Sequence, residues 1–164
     1  MPIEQTLVAV DELIAAGDLR AARVRLRDLV REQPRRLDLR ARLADVYRRE
    51  GNAAQAGRWS YLKESRVSAE DRAFERLFQD DPVQIMAALR WRGSEDDASD
   101  PDARARLAEV RARAQALAGR RLTWEDPLRR DAFKPADLGC LVVIVLALGL
   151  ATAGAVAIFD WLSG

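Results

Sequence analysis

The chain of 164 residues has no histidine, one cysteine and only two lysines. The missing histidine removes the commonest general base and metal ligand near neutral pH. One cysteine, Cys140, allows neither an internal disulfide nor a cysteine metal cage. It stands near the start of a long apolar run and reads there as a small apolar residue. An excess of one charge is missing as well, with 27 basic against 26 acidic residues. Asp137 and Asp160 are the only charges beyond residue 136, so residues 1–136 carry 27 basic and 24 acidic side chains, a balance of +3. A dedicated nucleic-acid binder ordinarily shows a much stronger basic excess. Neither a phosphate-binding glycine loop nor a serine elbow is present. The pairs Asp80-Asp81 and Glu125-Asp126 are adjacent in the chain, and adjacent helical residues do not face one target. Glu95-Asp96-Asp97, with Asp100 and Asp102, lacks the ligand spacing and internal glycine of a calcium loop and reads as a solvated turn. These absences predict no catalytic residues, no metal and no cofactor: the chain is not expected to be an enzyme.

What is present divides sharply. Residues 1–136 are densely charged, with arginines among many alanines, a composition typical of GC-rich bacterial coding. Leu138 to Phe159 is an uncharged run of 22 residues. As a helix at about 1.5 Å per residue it reaches roughly 33 Å, just over the ~30 Å hydrocarbon core of a bilayer. It predicts a single transmembrane helix within residues 137–160. Arg129, Arg130 and Lys134 precede it, no basic residue follows it, and Trp161 suits the far interface. The charge asymmetry puts the N-terminal part in the cytoplasm, and the N-terminus has no secretory signal. The expectation is a tail-anchored protein of the bacterial plasma membrane. Gly149, Ala153 and Gly154 form a small-residue stretch that would let two spans approach closely and self-associate. Arg111, Arg113, Arg120 and Arg121 suit either attraction to anionic lipid or plain topology determination.

The charged part contains a repeat. Gly17-Asp18 and Gly51-Asn52 are offset by 34 residues. In the first copy the run from Ala16 to Ala22 leads to Leu26, Leu29 and Pro34; in the second, Leu43, Ala44 and Tyr47 precede Gly51 and Ala56. Glycines allow the tight turns, alanines a close helix crossing, and the proline a stop. Over about residues 3–66 this pattern resembles the tetratricopeptide repeat (TPR). The stretches Arg42–Gly51, Ala56–Leu62 and Arg72–Phe78 also look like actinobacterial families, without an assigned activity, that carry a TPR-like N-terminus and a C-terminal membrane anchor. The sequence departs from the repeat at Thr6 and Arg40, where a large aromatic is usual, and at Ser60 and Lys63, where core apolar residues are usual. No proline closes the second copy.

Beyond the repeats, Ser68 with Asp71 suggests a capping box opening a helix through about Phe78. Asp81-Pro82 marks the start of the next helix, which Gly93 would end, and Asp100-Pro101 starts another that ends near Gly119. On that last helix Ala103, Leu107, Val110, Ala114 and Leu117 form a narrow stripe, fit to dock on the domain or to pair with a partner helix. The predicted fold is all-α: a TPR-like helical domain over 1–92, an acidic loop and amphipathic helix over 93–119, a juxtamembrane linker over 120–136, then the span.

The resemblance implies a binding module whose first helices receive a protein partner. The equivalent positions are Asp38, Ala41, Asp45, Arg48 and Arg49 in the second copy, with Glu4, Leu7 and Asp11 in the first. Arg48 and Arg49 suit an acidic segment, and a merely solvated face fits the same residues equally well. Leu7 and Asp11 stand where a carboxylate clamp would need basic and amide side chains. The leading expectation is a membrane-tethered adaptor for a protein partner. The alternative is a small accessory subunit of a membrane complex, recognised through its transmembrane helix.

Overall fold

The computed structural model describes residues 3–64 and 67–128. The chain divides into two units, Met1–Leu128 and Arg129–Gly164, and every described residue lies in the first. The described residues are helical and include no strand. α1 spans Ile3–Ala15, α2 Leu19–Glu32, α3 Leu37–Arg49, α4 Ala53–Ser60, α5 Ser68–Leu77 and α6 Pro82–Leu89. A single 3-10 turn, Glu95–Asp97, then leads to α7, Pro101–Ala118. None of these helices is long and apolar enough to cross a membrane. The predicted span, including Gly149, Ala153, Gly154 and the flanking Arg129, Arg130, Lys134 and Trp161, lies outside the described residues.

The offset of 34 residues is repeated in the geometry. At the end of α1 the N–H groups of Gly17 and Asp18 bond to the carbonyls of Ile14 and Leu13; at the end of α3 those of Gly51 and Asn52 bond to Arg48 and Tyr47. Both glycines are left-handed, with φ of 79° and 74°, as this two-bond helix stop requires. The next residue caps the following helix in each copy: Asp18 accepts from the N–H of Ala21 and Asn52 from that of Gln55. Two helical hairpins result, α1–α2 and α3–α4, sharing a core of Val10, Leu26, Leu39, Leu43, Val46 and Tyr47. Ala22 and Ala56 are fully buried within it, as their small side chains allow.

A second core gathers Phe74 of α5, Ile85, Met86 and Leu89 of α6, and Trp91 with Leu107 and Val110 of α7. Tyr61 and Phe78 meet Phe74 edge-on, with ring centroids 5.4 and 5.6 Å apart. Helix α7 thus docks on α6, burying Ala103, Leu107, Val110 and Ala114. Leu117, the last member of the predicted stripe, is exposed. Leu122 and Trp124, within the stretch read as a linker, are core residues. The Trp124 indole donates to Glu95 at 2.8 Å, and Arg111 pairs with the same carboxylate at 2.7 Å. The acidic loop therefore does structural work: Glu95 is buried, Asp97 caps the 3-10 turn from Ser94 and meets Arg35 at 3.1 Å.

Two helix ends depart from expectation. Helix α5 has no capping box; Ser68 is already helical and Val67 precedes it without a side-chain cap. Its first turn presses instead against Gly57 of α4, where an added Cβ would lie 2.1 Å from the Glu70 carbonyl oxygen. Helix α6 stops at Leu89, four residues before Gly93, with Arg90 left-handed at φ 50°. The cause is tertiary. The Arg40 guanidinium of α3 donates to the carbonyls of Leu89 and Arg90 at 2.9 and 3.3 Å, and Arg58 of α4 donates to that of Ala88 at 2.7 Å. Two arginines from the repeat hairpins take up the last carbonyls of α6 and oppose the negative end of its dipole.

Candidate functional site

The seam between the two cores also builds the most distinctive surface of the molecule. Arg40 is 1% exposed and stacks over Trp59 and Trp91, at 5.4 and 5.8 Å from the ring centroids. It occupies the position where the repeat pattern expects an aromatic, so a flat cation stands in for a flat ring. A further bond to the Pro34 carbonyl at 2.9 Å fixes it, yet no carboxylate pairs with it and its Nη1 finds no acceptor among the described residues. Burial and the nearby charge of Arg58 push its pKa down to about 10.

In front of this seam lies a pocket of about 390 Å³ between α2, α4 and the segment after α6. Arg23, Arg27 and Arg31 line it from α2, Asn52, Gln55, Arg58 and Trp59 from α4, and Arg90 and Arg92 from the third side. Val30, Pro34 and Tyr47 complete the wall. Six lining residues are arginines and none is acidic. Arg23 meets Glu50 at 3.3 Å and Arg31 meets Asp28 at 3.0 Å. Arg27, Arg90 and Arg92 pair with no carboxylate among the described residues. Arg58, half-buried over the Trp59 ring at 4.6 Å, has its pKa lowered to about 10 by burial and by the charges of Arg90 and Arg27. The cations are therefore close enough to repel one another. Chemically such a lining suits an anion, with guanidinium forks supplied from separate elements.

The residues predicted from the sequence lie on the first helices, not on the α2 and α4 surfaces that carry most of the pocket. Asp38 is exposed and held by Arg36 through bonds of 2.8 and 2.7 Å, which keep its carboxyl below the usual range. Arg48 makes a two-pronged contact with the buried Glu70 at 2.6 and 2.7 Å and also meets Asp45. Arg42 meets Asp11 at 2.8 Å. Ala41 is half-buried, Leu7 packs against the first core, and Glu4 and Arg49 are exposed. That face is largely charge-paired within the protein, and Arg49 is an exposed cation on it with no carboxylate partner among the described residues. Of the pocket residues, Pro34, Tyr47 and Asn52 drew attention in the sequence, for their place in the repeat. The available signal was Arg23, Arg27 and Arg31 at four-residue spacing on α2, which places three cations on one helix face.

Fold and site together define a protein of stacked helical hairpins with an arginine-lined pocket. The chain belongs to a family of unknown function (DUF6584), whose model matches residues 1–160. No curated protein and no solved structure matches it.

Proposed function

We propose that this protein is a membrane-tethered, TPR-like interaction module, an adaptor that holds an anionic protein partner at the cytoplasmic face of a bacterial plasma membrane. The single observation that carries the reading is the pocket of six arginines with no acidic lining residue. Unpaired like charges gathered in one concavity cost free energy unless a counter-charge is bound there, so they favour binding over mere solubility. The tether rests on the uncharged run Leu138–Phe159 and its one-sided basic flank.

The test is purification of the full-length protein from gently solubilised native membranes, in wild-type form and as the double variant Arg27→Glu/Arg92→Glu. Both side chains are exposed and have no carboxylate partner among the described residues, so the fold should tolerate the change. A stoichiometric protein companion, present with the wild type and lost from the variant, is the expected result. A companion retained by the variant would move the binding surface elsewhere, including to the transmembrane helix of an accessory subunit. Recovery of the protein alone, under conditions that preserve other complexes, would overturn the adaptor reading.

A further inference from the structure

The chemistry of the pocket allows the anion to be narrowed, an inference that rests on the adaptor reading. We infer that the pocket receives a phosphoryl group carried on an extended segment of the protein partner, in preference to a carboxylate side chain. Two features carry this. The first is the number and direction of free donors. Arg27 approaches from α2, while Arg90 and Arg92 approach from the segment after α6, and none has a carboxylate of its own among the described residues. A carboxylate is planar, carries one charge, and is satisfied by one guanidinium fork. A phosphate ester carries about −1.5 to −2 charge and three acceptor oxygens, which suits forks from several directions. Behind them, the Arg58 cation is penalised by burial and also by the charges of Arg90 and Arg27, and a dianion relieves more of that repulsion than a monoanion.

The second feature is the shape of the site. Pro34 and Arg92 line this pocket and also a neighbouring groove of about 730 Å³ whose walls include Leu37 and Ser99. The two concavities share one rim. In the second groove Arg36 pairs with Asp38 and Arg35 with Asp97, so among the described residues its unpaired arginine is Arg92, which it shares with the first. An anionic group followed by several neutral residues fits such a trough better than a free ion, which would use only one end of it.

The test is calorimetric titration of full-length protein, in mild detergent and low-salt chloride buffer, with four probes. These are a short Gly/Ala peptide bearing one phosphoserine, its serine and glutamate counterparts, and inorganic phosphate. The phosphoserine peptide should bind about tenfold more tightly than the glutamate peptide, and the serine peptide should bind least. Arg27→Ala/Arg92→Ala should lose about tenfold of that affinity, whereas Arg25→Ala, exposed on α2 outside the pocket, should lose none. An unchanged thermal melt of the double variant would show that it is folded. Equal binding of the phosphoserine and glutamate peptides would overturn the phosphoryl preference while leaving an acidic-segment adaptor in place. Inorganic phosphate binding as tightly as the phosphopeptide would overturn the extended-segment part. Loss of the membrane companion on Arg27→Glu/Arg92→Glu, with no binding of any probe, would overturn the inference and spare the adaptor reading. Retention of that companion would move the binding surface away from the pocket and overturn this inference with it, whereas recovery of the wild-type protein alone would overturn the adaptor reading itself.

Discussion

Replacing Arg40 by methionine tests how the two cores are joined. Arg40 donates to Pro34 and Leu89 at 2.9 Å each and to Arg90 at 3.3 Å. Charge-assisted bonds contribute about 1.5–3 kcal/mol each, so two good bonds and one long one give roughly 5 kcal/mol gross. Against this stands the cost of keeping the guanidinium out of water. The lowering of its pKa to about 10 corresponds to about 3 kcal/mol. Methionine would keep most of the stem packing between Trp59 and Trp91, remove both contributions, and leave buried carbonyls unmet. The net loss should be about 2 kcal/mol, read by urea unfolding of the full-length chain. Lysine, which keeps the charge but lacks the fork, should fall between the two. The tryptophan fluorescence of the folded state should shift in both variants, because Arg40 stacks on two indoles. A methionine variant as stable as wild type would refute the reasoning. It would mean that the buried charge cancels its own bonds and that the end of α6 needs no tertiary cap.

Other perturbations probe separate parts of the fold. Gly57→Ala should cost about 1–3 kcal/mol in urea unfolding, because its Cβ would meet the Glu70 backbone at 2.1 Å; an unaffected midpoint would mean that α5 shifts freely. Gln79→Gly should stabilise by about 0.5–1 kcal/mol, since Gln79 is left-handed at φ 54° after α5, and a loss of stability would contradict that geometry. Asp81 caps α6 through the N–H groups of Val83 and Gln84. Burial opposes its ionisation, but bonds from the Gln84 side chain and those N–H groups outweigh it, so its folded pKa lies below 3.8. Its contribution is therefore complete above pH 3.8 and is lost as pH falls through the lower folded value. Asp81→Asn should keep the cap while reducing the loss of stability in acid, and an identical acid limb would contradict this.

The helical framework was legible because its signals are local. Glycine at 17 and 51, a polar cap after each, and aspartate-proline at 81–82 and 100–101 fix helix ends through neighbouring backbone groups alone. The seam was not legible. Arg40 and Ser60 read as defects in the repeat, because each is polar where a large apolar side chain is usual. The structure gives both a partner: Ser60 bonds back to the Ala56 carbonyl at 2.9 Å, and Arg40 reaches carbonyls about fifty residues away. No periodicity encodes such a contact. The same holds for Glu95, which local composition assigns to a solvated turn and which tertiary contacts with Arg111 and Trp124 bury. The pocket was hidden for a related reason. Its arginines come from three separate stretches, and an even overall charge conceals a local excess.

Seam and pocket share residues, and that has a thermodynamic consequence. Arg58 and Trp59 line the pocket while also holding the second core against the first; Arg90 lines it and accepts from Arg40 through its carbonyl. Charge repulsion at the pocket is thus stored in the joint between the cores. An anion bound to Arg27, Arg90 and Arg92 lowers that repulsion and lengthens the list of contacts holding the segment after α6. Ligand that binds only the folded state stabilises by RT ln(1 + [L]/Kd), about 2.7 kcal/mol at a hundredfold excess over Kd. Much of the stabilisation should therefore appear as protection of the α6 end and the 90–92 segment from hydrogen exchange. The α1–α2 turn, with neither pocket nor seam contacts, should exchange as before. Uniform protection across all helices would instead mean that the two cores open only together, and that the arginines respond to the ligand without governing the joint.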